Sequence, residues 1–182
     1  MSDENLHSAL SPPMTSGPPE KQKKDRTILW FFIKIAVIAL ILFLALTFVI
    51  GIYRLGGNEM YPALRDGDLC ITYRLEDYRT GDVVAYRVNG QIRFARIVAL
   101  AGDTVDGDEY GLIVNGSHLS EAIFYPTDMH QGSLEVPVTV QSGHVLVLND
   151  YREDLNDSRT YGVLRTDELK GKVIFILRRR GF

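Results

Sequence analysis

Few side chains in this 182-residue sequence are placed to do covalent or acid–base chemistry. Ser117, Ser120, Ser133, Ser142 and Ser158 are possible nucleophiles, but no motif places a Lys or His beside any of them. They are expected to be turn and loop hydroxyls. Cys70 is the one cysteine, so an internal disulfide is excluded; within the apolar run Leu69-Cys70-Ile71-Thr72-Tyr73 it reads as a small buried hydrophobe. Four histidines without a spacing pattern point away from zinc. Asp103, Asp106, Asp108 and Glu109 lack the spacing of a calcium loop and read as a solvated turn. No metal and no cofactor are expected. With 20 Lys+Arg against 23 Asp+Glu, the formal net charge of −3 offers no cationic face for phosphates, so nucleic acid is not an expected partner.

The elements that must position any site fall into three stretches. Residues 1–27 contain Pro12, Pro13, Pro18 and Pro19 among Ser, Gly and charges, and are expected to form a disordered cytoplasmic tail. Residues 28–53 are almost wholly apolar. Their uninterrupted part, 35–52, has 18 residues and spans about 27 Å as a helix, close to the thickness of a bilayer's hydrocarbon core. Lys34 is its neighbouring charge and can snorkel, while Trp30, Phe31, Phe32 and Tyr53 suit the two interfaces. The core is too long for a cleaved signal, and Tyr53-Arg54-Leu55 is a poor cleavage site, so a retained transmembrane anchor is expected. Lys21, Lys23, Lys24, Arg26 and Lys34 lie on one flank against Arg54 on the other. The positive-inside rule therefore predicts a single-pass cell-membrane protein with a cytoplasmic N-terminus and an extracytoplasmic C-terminal domain.

Residues 54–182 change period from helix to strand. Short β-branched and aromatic runs at 69–73, 82–87, 92–100, 112–114, 135–140, 144–148 and 172–178 are separated by turn signals such as Thr80-Gly81-Asp82, Asn89-Gly90 and Asn115-Gly116. Val88-Asn89-Gly90-Gln91 predicts a two-residue hairpin, because Asn-Gly accepts the positive φ of a type I′ turn. The fold class is all-β, an antiparallel domain behind one N-terminal helix, with one short helical turn near 166–169. Residues 118–133 fit neither period and read as a loop excursion. Beyond Arg54 there are 14 basic and 19 acidic residues, so the domain is mildly acidic.

Three segments in order carry a resemblance. They are Gly57-Asn58-Glu59-Met60-Tyr61-Pro62 with Asp66-Gly67-Asp68; Gly81-Asp82 leading to Ala95-Arg96-Ile97 and Gly102-Asp103; and Asn149-Asp150-Tyr151-Arg152-Glu153-Asp154-Leu155-Asn156-Asp157-Ser158-Arg159. Their order and spacing resemble the type I signal peptidases of the Gram-positive type, membrane-anchored serine proteases with a signal-peptidase-like antiparallel β domain. The resemblance spans almost all of 54–182. It implies a Ser–Lys dyad in which the serine attacks the scissile carbonyl and a neutral lysine takes its proton. Here the serine position is Glu59, the lysine position is Ala95, and the position of the supporting serine is Leu155. Gly57 corresponds to a residue that assists the oxyanion hole in some members. Met60 and Pro62 match residues shaping the loop under the substrate. Arg96 with Asp150, and Asp157 with Arg159, match two structural pairs.

With the dyad replaced, the resemblance implies a pseudoenzyme, not an enzyme. It leaves a peptide groove around Gly57, Glu59, Met60, Pro62 and Ala95 that binds a secreted or membrane polypeptide by strand addition. Dyad-less members occur in Gram-positive pilus assembly, so the expected role is that of an accessory or chaperone-like factor, with a pilus subunit or a sortase as partner. Two alternatives stay open. One is an active signal peptidase working through an unrecognised dyad; a Glu59–Asp157 carboxyl pair is one form, and it requires a shared proton at close range. The other is a structural ectodomain without a groove.

Overall fold

The computed structural model describes residues 20–75 and 77–178. The first helix, α1 (Glu20–Val49), starts well before residue 28, so only 1–19 of the expected tail lie outside the described residues. Its segment Arg26–Val49 has 24 residues at mean hydropathy 2.8, about 36 Å of helix, long and apolar enough to cross a membrane. Large apolar side chains are exposed all around it, as lipid solvation requires and a soluble core helix would not tolerate. The helix ends four residues earlier than position 53. Ile50 opens a strand, β1 (Ile50–Arg54), a boundary that a continuous apolar run cannot reveal because it carries no change of period.

The rest is antiparallel sheet, with β2 (Leu69–Tyr73), β3 (Val83–Val88), β4 (Gln91–Ala99), β5 (Thr104–Asp108), β6 (Gly111–Val114), β7 (Ser117–His118), β8 (Val138–Thr139), β9 (His144–Leu148), β10 (Leu164–Arg165) and β11 (Leu169–Leu177). A short helix, α2 (Ser158–Tyr161), follows β9, and a 3-10 turn at Thr166–Glu168 occupies the predicted helical position. Seven strands form one sheet in the order β1-β2-β11-β3-β4-β9-β10, and four form a second in the order β7-β6-β5-β8. The β3–β4 hairpin turns at Asn89 (φ 51°) and Gly90 (φ 78°), the left-handed pair the sequence predicts. Strand β5 and the two-residue strands β7 and β10 were not foreseen. The Asp-rich β5 has weak strand propensity and forms because its ladder with β6 and β8 supplies the pairing.

Three buried clusters hold the body together. Val84, Tyr86, Ala95, Ile97, Val145 and Val147 fill one; Leu55, Met60, Leu64, Cys70, Ala85 and Phe94 a second; Val98, Val105, Leu112, Met129, Leu146 and Leu148 a third. Neighbouring residues along β3 and β4 enter different clusters, so this hairpin contributes to all three. Gly171 lies in β11 where that strand meets both β2 and β3, at φ +122°, and a Cβ there would stand 2.7 Å from the Tyr73 carbonyl oxygen. Gly116 has φ +78° but open space around it. Gly171→Ala is therefore expected to cost about 2 kcal/mol or more, and Gly116→Ala about 1 kcal/mol, in chemical denaturation of the detergent-solubilised chain. Equal midpoints for the two variants would count against the close packing at Gly171.

Candidate active site

Two loops build the site: residues 55–68 between β1 and β2, and residues 149–157 between β9 and α2. The first is pinned from beneath, because Leu55, Met60 and Leu64 are buried against Cys70, Ala85 and Phe94. Tight turns follow, with the Tyr61 amide donating to the Asn58 carbonyl (3.0 Å) and the Leu64 amide to the Met60 carbonyl (2.9 Å). The Tyr151 amide donates to the Glu59 carbonyl (2.9 Å) and joins the two loops at the residue of interest.

The Glu59 side chain stays in the site, and the residue is only 7% exposed. Its carboxyl folds back over Gly57: a Cβ on Gly57 would meet Glu59 Oε2 at 2.4 Å. The backbone φ of +140° is what favours glycine there, since the Glu59 carboxyl is the far end of a flexible side chain and can move away from an added Cβ. Burial pushes the Glu59 carboxyl above the ordinary carboxylate range. Its own backbone amide and the Arg93 guanidinium oppose that rise, while the charges of Asp154 and Asp66 add to it.

Ala95 and Met60 are both fully buried, so neither presents surface to a bound chain, contrary to the expectation that they line a groove. Ala95 packs among Val84, Tyr86, Ile97, Val145 and Val147, a methyl-sized space closed by its neighbours. Gly57 and Pro62 are half-buried, leaving them and Glu59 as the accessible part of the expected groove. Leu155 is half-buried; its carbonyl accepts from the Thr160 hydroxyl and the Asp157 amide. Arg93 escaped sequence reasoning, although it lies two residues from Ala95 on the same face of β4 and opposite Tyr86 in register. Its guanidinium sits 6.0 Å from the Tyr161 ring. Tyr86 donates its hydroxyl to the Asn156 carbonyl (3.2 Å), and its pKa is raised by burial.

The two ion pairs frame this site. Arg96 meets Asp150 through Nε (2.8 Å) and Nη2 (2.6 Å) and gives its third donor to the Gly81 carbonyl (2.8 Å). Arg159 holds both oxygens of Asp157 (3.0 and 2.8 Å) and donates to the carbonyls of Arg152 and Asp154, all in the interior. A second fully buried arginine carries no motif signal: Arg152 binds both oxygens of Glu121 (2.9 and 2.8 Å) and the Thr127 hydroxyl (2.6 Å), fastening the excursion to the second loop. Its sequence partner lies 31 residues away with no periodic relation. Asp157 is occupied by Arg159 and by the Asn149 amide, so it is not free to share a proton with Glu59. Among the described residues no group of His, Cys, Asp and Glu is arranged to hold a metal ion.

Comparison with known proteins places this geometry. The family model described as signal peptidase, peptidase S26, matches residues 28–178. A signal peptidase IB of Staphylococcus aureus (strain COL) is 29% identical over 82% of this chain and 89% of its own. Signal peptidase I P of Bacillus subtilis subsp. natto is 31% identical over 77% and 82%. The crystal structure of a signal peptidase I from Enterococcus faecalis V583 aligns with 54% of this chain and 98% of its own at 26% identity, with a TM-score of 0.47. These relatives overturn the expectation that the chain is a pseudoenzyme. Proteins alike over about four-fifths of it are named as peptidases, and exchange of two side chains does not show that activity is lost. The site retains a titratable group, a buried carboxyl more basic than usual, at the altered position.

A carboxyl whose folded pKa lies above its unfolded value stabilises the fold below the unfolded pKa and loses that contribution as pH rises through the folded one. Glu59→Gln is thus expected to melt higher than wild type at pH 7, with the gap closing below pH 4.5, the ordinary value. A constant gap from pH 4 to 8 would contradict the burial. For the ion pairs, Asp157→Ala is expected to cost about 3–5 kcal/mol, because it strands a buried guanidinium. Asp150→Ala is expected to cost less, since the Arg96 side chain is 23% exposed and can reach water. Denaturation midpoints of the two variants check this order.

Proposed function

This chain belongs to the signal peptidase family, peptidase S26, and we propose that it receives the signal-peptide region of exported polypeptides at the outer membrane face and cleaves it with Glu59 as the acid–base group. The observation that carries this reading is the Glu59 carboxyl: buried, raised in pKa, and located where the resemblance puts the nucleophile. A serine-type acyl-enzyme is not available from Glu59 and Ala95. A carboxylate of raised pKa can instead take a proton from water as the water oxygen attacks the scissile carbonyl carbon. The carbon–nitrogen bond then breaks, and Glu59 returns the proton to the leaving amine. Arg93 supplies the neighbouring positive charge that opposes the rise of the Glu59 pKa.

The client is held extended, with main-chain hydrogen bonds to a strand edge and contacts at Gly57 and Pro62. The basic residues in the first half of α1, Lys21, Lys23, Lys24, Arg26 and Lys34, support a cytoplasmic N-terminus and an extracytoplasmic β domain. A pilus subunit or a sortase, which the resemblance implies as partners, are the clients to test beside ordinary pre-proteins.

The test is cleavage of a pre-protein by the full-length chain in detergent. Cleavage at the signal-peptide boundary is expected, with a rate that rises with pH as Glu59 ionises and falls about 100-fold or more in a folded Glu59→Gln variant. Cleavage that is indifferent to Glu59→Gln, or a client held but never cut, would overturn the assignment of Glu59.

A further inference from the structure

The excursion between β7 and β8 and the turn between β5 and β6 together present a surface that the reaction does not use. Phe124 is 88% exposed and Tyr110 80%, the highest values among large apolar residues outside α1. They line one side of a cavity of about 290 Å³ together with Pro126 and Thr127. Pro126 and Thr127 also belong to an adjoining cavity of about 480 Å³, whose carboxylates are Asp108, Glu109, Asp128 and Glu153, all exposed.

The cations of this second cavity are already committed. Arg152 is fully buried on Glu121, and Arg159 is buried on Asp157. Asp108 accepts from the Tyr110 and Gly111 amides and lies 3.5 Å from His118; Asp128 accepts from His130 and Gln131, and Glu153 from the Tyr151 hydroxyl. Apart from His118 these donors are neutral, so the rim keeps a negative field in a β domain that is mildly acidic. Arg152 lines this cavity, and its buried Nε has no acceptor among the described residues.

We propose that this face docks a polypeptide segment in which lysine or arginine alternates with aromatic or aliphatic residues. The apolar side chains seat against Tyr110, Phe124 and Pro126, and the cations lie over Asp108, Glu109, Asp128 and Glu153. Charge complementarity selects the partner and the exposed rings add apolar area and cation–π attraction. The surface includes Arg152 and Glu153 of the 149–157 loop but none of Gly57, Glu59, Pro62 and Arg93, so it can stand or fall independently of the proposed cleavage.

The experiment uses the full-length chain in neutral detergent and two labelled twelve-residue peptides, one alternating Lys with Phe, the other Glu with Phe, read by fluorescence anisotropy. The Lys peptide is expected to bind at least about tenfold more tightly than the Glu peptide and to weaken as salt rises from about 50 to 500 mM. Phe124→Ser with Tyr110→Ser, and separately Glu109→Lys with Asp128→Lys, are expected to weaken it about tenfold each, at unchanged melting temperature because all four positions are exposed. Glu59→Gln is expected to bind the Lys peptide like wild type, which separates this surface from the proposed cleavage site. Equal affinity for both peptides, or no loss in either double variant, overturns the proposal. So does loss of self-association without any loss of peptide binding in the aromatic variant, since that would make the face an interface between copies of this chain.

Discussion

Burying a guanidinium and a carboxylate together is costly unless each remaining donor and lone pair finds a partner, and the Arg159–Asp157 pair meets that condition within one loop. Arg159 spends its side-chain donors on Asp157 and on the carbonyls of Arg152 and Asp154, while Asp157 also receives the amides of Asn149 and Arg159. This closes residues 149–159 into a rigid unit. The Arg159 carbonyl then takes the amides of Ser133 and Leu134, and Gly132 approaches it so closely that a Cβ would lie 2.4 Å from that oxygen. The excursion ends there, and through Tyr151 the same unit reaches the Glu59 carbonyl. Glu59, Arg152 and the return of the excursion all depend on a pair that cannot be opened without leaving charge in the interior.

The Glu59 site follows a different logic. A carboxyl in place of a hydroxyl needs more room and more solvation, and the fold supplies little of either. Gly57 yields the space of a side chain, the Glu59 amide supplies a donor, and Arg93 supplies charge from one strand step beyond Ala95. Ala95 cannot contribute, because its methyl group is already packed into the cluster below the sheet. The positive charge near residue 59 therefore comes from position 93, which no motif marks.

Glu59 and Ala95 stand where the resemblance puts the family's usual groups, and that exchange by itself pointed to loss of function. The similarity to named signal peptidases over most of the chain removes that inference. The altered residues then pose a question of chemistry, which a titratable carboxyl of raised pKa can answer in a way that a methyl group cannot.

The apolar stretch, the β period beyond it, the Asn89-Gly90 turn and the ordered segments that carry the family were legible because each is local: hydropathy, alternation and turn chemistry act over a few residues. The start of β1 within the apolar run, the Asp-rich strand β5 and the two-residue strands β7 and β10 were not, since pairing with other segments decides them. The same division runs through the site. Position 59 could be found by spacing, but only tertiary packing decided that its carboxyl is buried over Gly57, that Ala95 and Met60 face the core, and that Arg93 is the neighbouring cation. Arg152 finding Glu121 across 31 residues belongs to the same class, because burial and electrostatic environment are properties of neighbours in space, which sequence order does not record.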